Sequence, residues 1–146
     1  MPVLRCCDAS GCRAAGGEAL HRALEQAREA RGLSCAELTM KRVGCLRLCA
    51  RGPLVAIDAA ALLGGVPPQQ AGALVQLALA ASTADEPVAA AAAVGLADFS
   101  LDLNDPFFAW QQPVVLESCG LVDPESLDDA LAHGTYGQLA RCRAQA

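Results

Sequence analysis

Apolar positions along the first eighty residues change their period several times, and each change predicts an element. Val3-Leu4 opens a short strand that leads to Cys7, and Gly16-Gly17 breaks the chain before a helix over 18–31. Leu20, Ala23, Leu24 and Ala27 recur there at i, i+3, i+4 and i+7, one buried helical face, and Glu18 and Arg22 support it at i, i+4. Gly32 is the predicted stop. Residues 35–43 alternate apolar and polar over part of their length, as a half-buried strand does, and run to Gly44-Cys45. Leu54-Val55-Ala56-Ile57-Asp58 reads as a buried strand, with Ala61-Leu62-Leu63 before Gly64-Gly65 as its hairpin partner. Pro67-Pro68 precedes a helix over 69–80 with Ala71, Leu74, Val75 and Ala78 on one face. The order is β-α-β-β-β-α, which permits a thioredoxin-like α/β layer architecture with the loops that carry chemistry at one end of the sheet.

Beyond residue 81 the pattern fades. Residues 82–104 begin Ser82-Thr83-Ala84-Asp85-Glu86-Pro87 and run on in alanine, the composition of a linker. All five aromatics, Phe99, Phe107, Phe108, Trp110 and Tyr136, follow that boundary, so the tail is expected to bury them on some surface or to leave an apolar patch that favours a homodimer. Asp123-Pro124-Glu125-Ser126 predicts a helix N-terminus with proline in its first turn, and Leu127, Ala130 and Leu131 before His133-Gly134 make one short closing helix.

With 146 residues, one domain with an appendage is expected. The start Met1-Pro2-Val3-Leu4-Arg5 lacks the basic and apolar regions of a signal peptide, so a reducing cytoplasm, with eight unbridged cysteines, is the expected setting. The longest nearly apolar stretches, 71–81 and 88–97, are shorter than the roughly 20 residues a membrane span needs. Net charge is −5 but uneven: residues 1–53 carry nine Lys/Arg against five Asp/Glu, and residues 54–146 two against eleven. Arg5, Arg13, Lys41, Arg42, Arg47 and Arg51 each lie within four positions of a paired cysteine, which suits an anionic centre. The acidic whole, with no aromatic in its basic half, argues against nucleic acid as a partner.

The chemistry resides in two cysteine pairs, Cys7-x4-Cys12 and Cys45-x3-Cys49, each beside a glycine where the backbone turns. Thiolates at these spacings can converge on one metal centre. Structural zinc sites commonly use Cys-x2-Cys pairs, and neither pair has that spacing. Iron–sulfur is therefore the leading reading and a zinc-binding structural module the alternative. Thiol oxidoreductase chemistry is disfavoured by the lack of any Cys-x-x-Cys.

Cys7-Asp8-Ala9-Ser10-Gly11-Cys12 and Gly44-Cys45-Leu46-Arg47-Leu48-Cys49, followed by Gly52-Pro53-Leu54-Val55, resemble the thioredoxin-like [2Fe-2S] ferredoxins over residues 1–81. Asp105-Pro106-Phe107-Phe108-Ala109-Trp110-Gln111-Gln112 and Ser118-Cys119-Gly120-Leu121-Val122-Asp123-Pro124 in the tail, 105–146, look like the opening of the flavoprotein subunit of NADH-oxidising complexes. The combination resembles the beta subunits of NAD-dependent formate dehydrogenases and related soluble hydrogenases. The resemblance implies a [2Fe-2S] cluster held by Cys7, Cys12, Cys45 and Cys49, and FMN and NAD carried only on a domain or partner outside these residues. It also implies partnership with a flavoprotein subunit and other iron–sulfur subunits. Arg47 and Ala9 stand where such proteins often have glycine, and Arg47 brings a positive charge close to the implied cluster.

Cys6, Cys35 and Cys119 are expected as packed small residues, Cys142 as an exposed thiol, and His21 and His133 as solvated or helix-capping side chains. No nucleophile–base pair, phosphate loop or acid pair stands out, so the chain is not expected to be catalytic alone.

Overall fold

The computed structural model describes residues 1–58, 61–81 and 87–145. A five-stranded mixed sheet has the order β2-β1-β3-β4-β5. β1 (Val3–Cys7) lies parallel to β2 (Thr39–Val43) and antiparallel to β3 (Leu54–Ile57), with Arg5 opposite both Lys41 and Ala56. β4 (Ala61–Gly64) continues the sheet antiparallel to β3, and β5 (Ser100–Leu101) closes it. The parallel pair requires a crossover, which α2 (Gly17–Ala30) supplies.

One face of the sheet carries the main core. Leu4, Cys6, Val55, Ile57 and Leu63 meet Leu20 and Leu24 of α2, and Leu74, Val75, Leu77 and Ala78 of α3 (Ala71–Ala81), with Ala23 and Ala27 at the margin. The i, i+3, i+4 stripe of α2 is therefore the buried one, as its spacing predicts. β3 and β4 are buried at every position, because the second face is also covered. There the C-terminal segment lies across Ala56 and Leu62, which reads in sequence as an unbroken apolar run.

Several boundaries differ from the expected ones for local reasons. The strand expected over 35–43 begins only at Thr39, because Ser34 N and Oγ both donate to Glu37 Oε2 (2.9 and 2.7 Å) and fold 34–38 into a turn. Cys35 is consequently exposed rather than packed, its sulfur 3.0 Å from Arg28 Nη1. His21 is buried rather than solvated, whereas His133 caps its helix as expected, its Nδ1 2.8 Å from Asp129 O. Leu38, on the far side of the turn, is fully buried.

The larger correction concerns the expected end of the domain at residue 81 and the expected linker over 82–104. Residues 82–86 lie outside the described ones. After them come α4 (Pro87–Ala93) and a 3-10 turn (Ala97–Phe99), which place Ala91 and Leu96 in the main core and Phe99 against it. β5 then pairs Leu101 with Leu62 and Ser100 with Leu63. A run of alanine and a two-residue strand carry too little pattern to register in sequence, yet both complete the domain.

The tail holds α5 (Pro106–Ala109), α6 (Leu127–Ala132) and α7 (Gly137–Ala144), where one closing helix is expected. Phe107 is 49%, Tyr136 60% and Trp110 84% exposed, the expected outcome in which the tail leaves apolar surface, while Phe108 is half-buried. No helix among the described residues is long and apolar enough to cross a membrane.

Leu96 is the largest fully buried side chain of the segment expected as linker, so Leu96→Ala should cost about 2–5 kcal/mol by leaving a cavity in the main core. Urea unfolding of the full chain checks this, and a loss within experimental error would mean that residues 87–101 add little to the domain.

Candidate metal centre

The four paired cysteines meet at one end of the sheet. Cys7 ends β1, and Cys12 sits inside α1 (Ser10–Ala14), a five-residue helix where a loop is expected. Cys45 follows β2, and Cys49 opens a 3-10 turn, Cys49–Arg51, just before the cis Gly52–Pro53 bond and β3. Cys7 and Cys12 are buried, Cys45 is half-buried and Cys49 is exposed, so the centre is open to solvent on the side of the second pair. Cys7, Cys12 and Leu54 form a small core of their own, closed by Ala9, Leu46, Leu48 and Leu101.

Close approach of the two chain segments depends on absent side chains. A Cβ on Gly11 would stand 3.3 Å from Cys49 Cβ and 3.4 Å from its sulfur. A Cβ on Gly52 would stand 3.2 Å from Cys12 Sγ. The glycines therefore leave a cradle between the pairs that methyl groups would crowd.

Within that cradle the thiols act on one another. Burial and the hydrogen bond with Cys7 push the Cys12 thiol up to about 12. The hydrogen bond with Cys45 and that neighbour's charge raise Cys49 as well. Cys12 also feels Cys49, and Cys49 feels Cys7, so the two pairs share one electrostatic site. These shifts favour the neutral thiols, and a coordinating metal would reverse them by stabilising the deprotonated form. Among the described residues no group of three or more His, Cys, Asp or Glu side chains stands ready as an ion site.

Cys6 points into the main core, as alternation along β1 demands, and burial pushes its thiol up to about 12. Cys119 is half-buried beside Gly44, and Cys142 is exposed.

Arg47 is held at φ 71°, the left-handed region that favours glycine, and its N–H donates to Cys45 Sγ at 3.2 Å. Its guanidinium has no carboxylate within ion-pair distance among the described residues, while the next arginine along the site's other flank is engaged. Arg42 contacts Glu18 at 3.1 Å and Asp8 at 3.9 Å, and Asp8 reaches Arg13 at 3.6 Å. Arg42 Nη2 also donates to His21 Nδ1 at 3.3 Å, which requires a neutral ring protonated at Nε2. Sequence periodicity does not reveal this group, because its members come from the residue after β1, from α1 and α2, and from β2.

No family model matches the chain, and no curated protein matches it. Among solved structures it is similar to the wild-type thioredoxin-like [2Fe-2S] ferredoxin from Aquifex aeolicus, with a TM-score of 0.53 at 16% identity, over 70% of this chain and 97% of that one. A second structure of a thioredoxin-like [2Fe-2S] ferredoxin from that organism gives 0.52 at 15% identity, over 70% of this chain and 91% of the other. The chain thus has the α/β fold of the thioredoxin-like [2Fe-2S] ferredoxins. The matched share exceeds what residues 1–81 supply, in keeping with the placement of α4 and β5 in the domain.

Burial first, and then the Arg42 charge, hold the His21 imidazole below its ordinary value of 6.5, against the pull of Glu25, Glu18 and Asp8. The unfolded chain takes up this proton first as pH falls, so the contribution is complete above about 6.5 and is lost as pH drops toward the folded value. Stability to urea should accordingly fall between about pH 7.5 and about pH 5.5, above the range where the lowered carboxyls of Glu18 and Asp129 titrate. His21→Gln should flatten that slope, and an unchanged slope would place the pH dependence elsewhere.

Proposed function

We propose that the protein is an electron-transfer module whose [2Fe-2S] cluster would be held by Cys7, Cys12, Cys45 and Cys49. The observation that carries this reading is the glycine-lined cradle that brings the two thiol pairs together at one end of the sheet. Thioredoxin-like architecture by itself would allow other chemistry. The spacings Cys7-x4-Cys12 and Cys45-x3-Cys49 favour the cluster over a structural zinc ion, which commonly uses Cys-x2-Cys pairs.

When bound, the cluster supplies one-electron storage. The chain does the rest. Leu54, Leu46 and Leu48 shield the side of Cys7 and Cys12, which lowers the local dielectric, while exposed Cys49 marks the edge nearest to a partner. The Arg47 N–H on Cys45 and the nearby guanidinium favour added negative charge and so favour the reduced form.

The flavoprotein-like tail motifs support a place in an NADH:acceptor oxidoreductase of the formate dehydrogenase, hydrogenase or complex I kind. In that setting the module passes electrons between a flavin and further iron–sulfur clusters, with FMN and NAD on a partner, in the cytoplasm. Catalysis belongs to the assembly and not to this module. Self-association through the exposed Phe107 and Trp110 is a further expectation of the same reading.

Anaerobically reconstituted protein should hold two irons and two acid-labile sulfides per chain. Serine at Cys7, Cys12, Cys45 or Cys49 should lose or strongly alter the cluster signal, while Cys6→Ser and Cys119→Ser keep it. One zinc without sulfide would instead make this a structural module, and no metal at all would refute both readings.

Arg47→Gly removes a charge at a position whose φ suits glycine, and the N–H to Cys45 remains. Its reduction potential, read by film voltammetry, should be lower than that of the parent chain. An unchanged or higher potential would show that the guanidinium is too well solvated to act on the cluster.

A further inference from the structure

We infer that the C-terminal segment 116–129 is a clamp that positions the loop of the second cysteine pair, residues 44–49, with Gly120, Lys41 and Asp129 as its positioning residues. The inference rests on Cys45 and Cys49 being ligands. That loop has little of its own to hold it: among the described residues no main-chain N–H of 44–48 donates to a main-chain carbonyl, apart from any regular element. A stretch so poorly bonded opens locally unless something covers it.

The segment covers it at three points. Lys41, on the last strand before the loop, forms an ion pair with Asp129 at the start of α6, both side chains largely buried at 22% and 13% exposure. The other Asp129 oxygen accepts from Asp123 N at 2.8 Å, and Ser126 Oγ accepts from Asp129 N at 3.2 Å, so this one carboxylate ties the turn 123–129 to β2. Arg5 on β1 donates from Nη1 to Gly120 O at 2.7 Å and from Nη2 to Asp58 O. Between those anchors the chain lies directly on the loop. Cys119 Sγ is 3.5 Å from where a Gly44 side chain would begin, and Gly120, at φ +81°, would put a Cβ 2.6 Å from Leu46 Cδ2.

Leu46 is the part on which this pressure falls. Its other side packs against Cys7, Cys12 and Leu54. The clamp therefore presses the second cysteine loop onto the first pair through one leucine, and the loop cannot lift without displacing residues 119–120. Gly120 is required at the contact, because its left-handed φ and the Leu46 methyl leave no place for a side chain, whereas a Cβ on Gly44 would make ordinary contact with Cys119. No local sequence pattern demands this, since the partners are more than seventy residues apart.

The test uses the full chain and begins without the cluster. Alkylation of Cys45, half-buried in that loop, should quicken about ten-fold in Lys41→Gln and in Asp129→Asn, while hydrogen exchange shows the amides of α2 and α3 keeping their protection. Lys41→Arg should restore the parental rate. Gly120→Ala should act in the same direction, and if it also loses protection in α2 and α3 it has unfolded and the two latch variants decide. After loading with iron and sulfide, the latch variants should lose the cluster to a chelator several-fold faster and show altered electron paramagnetic resonance line shapes. A parental rate of Cys45 alkylation in both latch variants overturns the clamp. A chain that takes up no iron, yet shows the expected alkylation, overturns the electron-transfer reading and leaves the clamp standing.

Discussion

The two segments that carry the cysteine pairs must pass each other at backbone distance, and everything else about this end of the molecule follows from that constraint. Cys12 and Cys49 come within reach of a shared centre only because Gly11 and Gly52 place nothing between them. The same geometry sets the order of elements. β1 must end at Cys7, β2 must end just before Cys45, and their parallel pairing brings both ends to one side of the sheet. Antiparallel pairing would have put them at opposite ends. The long crossover through α2 is what a parallel pair requires, and its buried leucine stripe is what keeps the pair in register against the core.

Charge is arranged around that end in two layers. Arg42 gathers Asp8, Glu18 and His21 beneath the first pair, joining α2 to the strand that leads into the second. Further out, the basic first third meets the acidic remainder within one chain. Lys41 takes Asp129, and Arg5 takes two carbonyls from residues 58 and 120. The uneven charge along the chain is thus partly satisfied internally. Exposed pairs contribute little to stability, and the Arg22–Glu18 contact at 3.9 Å belongs with them, whereas the buried Lys41–Asp129 pair fixes where the tail lies.

The tail then has two faces of different character. Towards the sheet it presents Cys119, Gly120 and the Asp129 carboxylate. Away from it stand Trp110, Val114 and Val115, at 84%, 79% and 93% exposure, the two valines lining a groove with Arg47 of the cysteine loop. On the proposed electron-transfer reading, such an apolar rim is where a redox partner's approach would shorten the path to the centre.

Sequence alone determined the parts governed by local periodicity and spacing: the buried stripe of α2, the strand at 54–57, the cysteine pairs and their separation from Cys6 by alternation along β1. These are properties of neighbouring residues, and neighbours set them. It did not reveal α1, because five residues around Cys12 contain no repeat of a helical face. The role of residues 87–101 also escaped it, since alanine is neutral between a solvated linker and a close-packed helix until a core is there to receive Ala91 and Leu96. His21 looked like a surface histidine because its partner Arg42 lies on another element, and sequence left open whether the tail's aromatics bury or stay at the surface, because the tail docks through a glycine, an arginine and one carboxylate. Tertiary structure decided each of these, for one physical reason: close approach, charge pairing and cover are relations between distant segments, and they exist only once the sheet has brought those segments together.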